Sequence, residues 1–206
     1  PATGQPTSPV AADASPWKRL PDMPVPVLAG DVSVVGDRVC LSGGIHQLGS
    51  THDHVQIFDL KTLTWSEPIK LNEGRAMHAQ VTLDDHRILV AGGQSGRVQP
   101  IGPGLKAIAS CEIVDLKTGQ STTIAPLPRE VAEPTGHQLP DGRAIIIGGE
   151  SALIFNPKTN EWDRGIGLRE DRQAPYYVAL RDGRVVAIGG ARPASIEILD
   201  VKASAS

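Results

Sequence analysis

Hydrophobic residues in this chain come in short runs bounded by Gly, Pro, Asp and Asn, not at helical spacing. Four runs close on a double glycine: "GDRVCLSGG" (36–44), "DHRILVAGG" (85–93), "DGRAIIIGG" (141–149) and "DGRVVAIGG" (182–190). Each is a polar turn, an Arg, an apolar run, then Gly-Gly. Each is followed by a second kind of run: "VQIFDLKTLTW" (55–65), "CEIVDLKTGQS" (111–121), "ALIFNPKTNEW" (152–162) and "SIEILDVKAS" (195–204). Self-similarity of this kind predicts a repeat architecture.

The spacing has a fixed half and a free half. From Trp65 to Gly92, Ser121 to Gly148 and Trp162 to Gly189 the distance is 27 residues each time. From the second glycine of a pair to the next Asp or Asn it is 15, 22, 7 and 10. The variable half is a loop that does not touch the core. Each repeat reads as four short strands. Strand a is "DVSVV", "HAQVTL", "GHQLP" or "YYVAL"; strand b ends at Gly-Gly; strand c ends at Asp59, Asp115, Asn156 or Asp200; strand d starts near Trp65, Ser121 or Trp162. The turns between a and b suit tight hairpins.

With its glycine pairs, its Phe58-Asp59 and Phe155-Asn156 dipeptides, and Trp65 and Trp162, the chain resembles the kelch family of β-propellers over residues 17 to about 202. Strand c is most similar to bacterial kelch repeats of the galactose-oxidase-like type. The resemblance implies an all-β, kelch-type β-propeller of four repeats, each a four-stranded antiparallel blade. Two departures stand out: Ser121 replaces a Trp, and the fourth copy stops before its strand d. The N-terminal "SPWKRLP" (15–21) looks like the missing strand, so the last blade is expected to be closed by the N-terminal strand. The expected division is a flexible lead-in, 1–16, and a single domain, 17–206, with blades at 17–21 plus 176–202, 28–70, 76–126 and 134–166. Two chains forming one eight-bladed ring, or a piece of a longer propeller, are the alternatives.

The repeats act as an internal control. Arg38, Arg87, Arg143 and Arg184 recur at one position, so they are read as scaffold. The same holds for the glycine pairs, the Asx residues capping the c–d turn, and the tryptophans. The b–c and d–a connections are expected on one face, as kelch proteins typically bind ligands there. That face carries Arg75, Arg97, Arg129, Arg169, Arg172 and Arg192, His46, His52, His54, His78 and His137, and acids including Glu150. Arg75 and Arg172 stand at equivalent positions, 17 residues before a glycine pair. Arginine there suits carboxylate recognition, which favours an anionic ligand.

A formal net charge of -3 predicts no general affinity for nucleic acid, and no apolar run approaches a membrane-spanning length. The Pro/Ala/Ser-rich opening reads like the segment behind a removed signal peptide, a lean towards an exported or periplasmic protein, though a trimmed boundary explains it as well. Cys40 and Cys111 sit in apolar runs and are read as buried thiols.

"IHQLGSTHDH" (45–54) puts His46, His52, Asp53 and His54 in one loop. In an extended strand His52 and His54 point the same way and could hold a metal with His46 or Asp53. No HExxH or Cys-rich spacing backs that reading, so an ordinary polar loop is the preferred one, with no metal and no cofactor expected.

The favoured function is a non-enzymatic binding or assembly module for a protein partner. It rests on the loop 94–110, whose Ile101, Leu105 and Ile108 would be poorly covered alone. The expected partner-binding set is Arg75, His78, Arg97, Ile101, Leu105, Ile108, Glu150, Arg172 and Arg192. A homodimer is a further expectation. The alternative is a small sugar-acting enzyme or acidic-sugar binder, resembling the sialic-acid mutarotases, with Glu150 and Arg75 or His78 as an acid/base pair. Galactose-oxidase chemistry is rejected: that family needs two tyrosines and a crosslinked cysteine at copper, and here the only tyrosines, Tyr176 and Tyr177, are adjacent.

Overall fold

The computed structural model describes residues 16–99, 104–149, 151–163, 165–170, 172, 175–190 and 194–201. Among them every regular element is a strand, and no helix is long and apolar enough to cross a membrane. Four antiparallel meanders follow one another along the chain. The first sheet contains Asp31–Val35, Arg38–Ser42 and His54–Asp59, with an outer strand in two pieces, Thr64–Trp65 and Ile69–Lys70. Pro68, with no N–H to give, lies between the pieces. The second sheet is Ala79–Thr82, Arg87–Ala91, Cys111–Asp115 and Gln120–Ile124. The third is Thr135–Gln138, Ala144–Gly148 and Ser151–Asn156, again with a divided outer strand, Glu161–Trp162 and Ile166–Gly167. The fourth is Tyr176–Ala179, Val185–Ile188 and Ile196–Leu199. The architecture is all-β and antiparallel, consistent with a kelch propeller.

The sheets stack face to face in chain order, with an apolar cluster at each junction. Ile88 and Val90 pack against Cys40, Val55 and Ile57 of the first sheet. Leu89 and Ala91, one residue out of phase, pack against Ala144, Ile146 and Phe155 of the third. A strand buried on both faces has no polar alternation, which explains the unbroken apolar runs. At the two ends of the stack the pattern continues without a partner sheet among the described residues. Val32 and Val34 of the first sheet and Tyr176, Val178, Ile196 and Ile198 of the fourth are exposed.

Residues 16–26 form no strand. The fourth sheet therefore has three strands among the described residues, not the four expected with N-terminal closure. Pro21 and Val25 of this segment bond to the first sheet. Trp65 Nε1 donates to Pro21 O at 3.2 Å, and Val25 exchanges two hydrogen bonds with the Gln56 amide, each 2.8 Å. Trp162 makes the same bond, to Ala125 O at 2.8 Å. Ala125 directly follows the outer strand of the second sheet, so Pro21 lies where a preceding sheet would end.

The expected scaffold roles appear in the turns. Asp59 Oδ1 accepts from the N–H groups of Lys61 and Thr62, and Asp115 Oδ1 from those of Lys117 and Thr118. Arg87, Arg143 and Arg184 each pair with an acid of the preceding turn. Gly43, at φ +56°, has no room for a side chain: a Cβ there would lie 2.3 Å from Arg75 O.

Candidate functional site

The residues expected to bind a partner divide into a buried group and a surface group. Arg75 is fully buried. Its guanidinium bonds Gly92 O at 3.1 Å, Ser110 O at 2.8 Å, Ser110 Oγ at 3.0 Å and Glu112 Oε1 at 2.9 Å. Arg172 repeats this set in the fourth sheet: Gly189 O at 2.8 Å, Ser195 O at 2.7 Å, Ser195 Oγ at 2.8 Å and Glu197 Oε1 at 2.8 Å. Both guanidiniums bond within their own sheet, tying the glycine pair to the next strand, and neither is presented to solvent. Burial alone would raise the Glu112 pKa. Hydrogen bonds from Ser121 and Asn72 N–H, the Arg75 charge and a bond from Glu73 N–H outweigh it and hold the carboxyl below its ordinary value.

His78 is also buried, with Nε2 at 2.7 Å from Ser42 Oγ. Burial first, and the Arg75 charge second, push its pKa down to about 3, so the ring is neutral at pH 7. It borders a cavity of about 920 Å³ between the inner strands, lined also by Asp31, Gln80, Arg129, His137 and Tyr177. Asp31 Oδ2 accepts from Gln80 N–H at 2.7 Å. His78 Nδ1, Gln80 Oε1, His137 Nε2 and Tyr177 OH are buried without a hydrogen-bond partner. Burial raises the pKa of Asp31 and of Tyr177 and lowers that of His137. The cavity has the volume and the polar lining to receive a small polar ligand. Asp31, Gln80 and Tyr177 were not foreseen. Gln80 and Tyr177 share one repeat position, opposite Val90 and Ala187, but the other two sheets place Val32 and Gly136 there, so no common residue type marks it.

The surface group lies on two adjoining loops. Thr51 N–H donates to Gly96 O at 2.9 Å and Val98 N–H to Gly49 O at 2.7 Å, so the loop of the first sheet is zipped to that of the second. Thr51 Oγ1 adds a bond to Gly96 O at 3.2 Å. Leu48 is 72% exposed, Val98 53%, and Arg97 is exposed between the joined strands. Leu105 and Ile108 are half-buried, and Ile108 is held by a bond from its N–H to Gly93 O at 3.0 Å. Glu150, Arg192 and Ile101 lie outside the described residues.

The histidines separate. His46 accepts from Leu48 N–H at 3.2 Å, within its own turn. His52, Asp53 and His54 bring one ligand atom each to within 4.8 Å of the others.

No family model matches the chain. It is 23% identical over 202 residues to Kelch-like protein 34 of Homo sapiens, a match covering 87% of this chain and 30% of that protein. The chain thus spans less than a third of the length of the curated relative it matches.

Proposed function

We propose that the chain is a kelch-type propeller module that binds a protein partner through the joined loops 46–51 and 94–98. The observation that carries this reading is the exposure of Leu48 and Val98 on two loops fixed to each other by backbone bonds. Apolar side chains on a rigid polar frame bind without a large ordering cost. Arg97 beside them favours a partner segment that is apolar and acidic. The similarity to Kelch-like protein 34 supports a kelch repeat in this role. The test is selection from a displayed random-peptide library on the immobilised chain. The reading expects enriched peptides with acidic and apolar positions, whose binding drops at least tenfold with Leu48→Asp and Val98→Asp while the melting temperature stays unchanged. Enrichment that ignores both substitutions would refute it.

The inner cavity supports a second reading, a binder of a small hydroxylated or acidic sugar. The specific observation behind it is a cavity of about 920 Å³ with His78, Gln80, Arg129 and His137 in its lining. A saturation-transfer screen with monosaccharides and uronic acids, repeated on His137→Ala, separates the two readings.

A further inference from the structure

We propose that His52, Asp53 and His54 form a site for one divalent transition-metal ion of the zinc class. Nothing in this inference depends on the peptide-binding reading.

The donor set comes first. Two imidazoles and a carboxylate are borderline ligands that suit Zn²⁺ and its first-row neighbours rather than Ca²⁺ or Mg²⁺. The ligand atoms lie within 4.8 Å of one another, and the two rings stand 5.2 Å apart, tilted by 33°. His52 Nε2 and His54 Nδ1 are both shielded from solvent without a hydrogen-bond partner. His54 Nδ1 lies 2.7 Å from Asp53 Oδ1, near enough for an ion pair but off line for a hydrogen bond. An ion among the three atoms gives each a partner.

The backbone is fixed in advance. His52 N–H donates to Gly44 O at 2.7 Å, Arg75 N–H to His52 O at 3.2 Å and Leu71 N–H to Asp53 O at 2.7 Å. Three bonds on two consecutive residues hold the ligand-bearing segment between the glycine pair and the following connection, so binding orders side chains only.

The repeats supply an independent argument. Five residues before the Asx of each c–d turn, three sheets place a serine: Ser110, Ser151 and Ser195. In each of these an arginine guanidinium bonds the serine hydroxyl: Arg75 to Ser110, Arg129 to Ser151, Arg172 to Ser195. The first sheet has His54 at that position. It has Val27 where Arg75 and Arg172 stand, and Gln56 where Glu112 and Glu197 stand. The sheet that lacks the internal cation is the one that gathers imidazoles there. A metal ion restores a positive charge to the same junction. The charge it must displace is Lys70 Nζ, 3.8 Å from Asp53 Oδ2.

Among the described residues one other cluster, Asp84, Asp85 and His86, brings three ligand atoms together. Asp84 is already engaged by His86 N–H, Arg87 N–H and the Arg87 side chain. That cluster serves as the control.

The experiment is calorimetric titration of the tag-free chain with Zn²⁺, with thermal melts in parallel. The expected result is one ion per chain, a rise in melting temperature with Zn²⁺, and affinity lower by at least about tenfold in each of His52→Gln and His54→Gln. His86→Gln should bind as the unaltered chain does. Circular dichroism of each variant without metal verifies folding. If His→Gln proves disruptive, Asp53→Asn provides the same test. Absence of stoichiometric binding, or binding that survives both histidine substitutions and is lost in His86→Gln, overturns the proposal.

Discussion

Arg75 and Glu112 meet at 2.9 Å inside the second sheet, both side chains out of reach of water. The fourth sheet repeats the contact with Arg172 and Glu197. In the third sheet the two positions hold Val131 and Leu153, both buried in one apolar cluster. In the first they hold Val27 and Gln56, and the glutamine amide bonds the backbone of Val25. One structural slot thus has a charged, an apolar and a neutral polar solution in a single chain. This is why Arg75 and Arg172 recur: each is a buried tie within its own sheet.

The exchange sets up a double-mutant cycle. Arg75→Val alone leaves Glu112 buried without its cation, and Glu112→Leu alone leaves the guanidinium without its anion. Each should cost about 3–5 kcal/mol. The pair of substitutions, copied from the third sheet, should cost less than the worse single one. It will not be neutral, because Asn72 and Glu73 N–H lose their acceptor. Urea unfolding of the four proteins measures the coupling, and simple additivity of the two single costs would contradict it.

His78 gives the fold a pH dependence with a defined window. Its folded-state pKa of about 3 lies below the ordinary 6.5. As pH falls through 6.5 the unfolded chain takes up a proton here that the folded chain refuses. Stability therefore declines from pH 6.5 down to about 3, with a slope of up to about 1.4 kcal/mol per pH unit from this residue. Below the folded pKa the loss stops growing. Carboxylates such as Glu112 add their own loss as pH falls below 4.5. His78→Gln should flatten the interval from pH 6.5 to 4.5, read from urea midpoints. An unchanged slope would place the proton uptake elsewhere.

Cys40 and Cys111 are fully buried, and burial pushes both thiols up to about 11. Neither thiolate nor thiol is open to a reagent in the folded chain. Both should react with a disulfide reagent only as fast as their sheets open, and at the rate of a free thiol in urea. Each reports its own part of the stack, since Cys40 packs at the first junction and Cys111 at the second. Fast labelling of either under native conditions would mean that its junction opens locally.

The strands, the turns and the Asx caps were legible because the sequence repeats them, and each repeat checks the others. The limits have physical causes. Strand d reads as continuous from its tryptophan, yet it breaks in the first sheet, where Pro68 cannot join the ladder. The partner of Arg75 is 37 residues away in sequence. The trace it leaves is an acid in the middle of an apolar strand, "CEIVD" and "SIEILD", missing in the two copies that also lack the arginine. The cavity left no trace, because its lining differs in residue type from copy to copy: even Gln80 and Tyr177, which share one repeat position, have Val32 and Gly136 as their counterparts. In the loop 94–110, Val98 is exposed while Leu105 and Ile108 are half-buried. Hydrophobicity alone could not tell these apart.

The two ends of the stack bear on assembly. At every internal junction an apolar face meets the next sheet. The fourth sheet presents such a face uncovered by the described residues, Tyr176 being 77% and Ile196 66% exposed. Val32 and Val34 do the same on the first sheet. Faces of this kind are covered in solution, and the two ends differ, so a contact between copies is head to tail. Light scattering on a dilution series should show a mass above that of one chain at high concentration. Val32→Glu with Val34→Glu blocks one end, and Ile196→Glu with Ile198→Glu blocks the other. Either double variant alone should run as a single chain. Mixed, they should recover a dimer, because each retains the end the other lacks. A single-chain mass at all concentrations, with both double variants melting lower, would show instead that the ends meet within one chain.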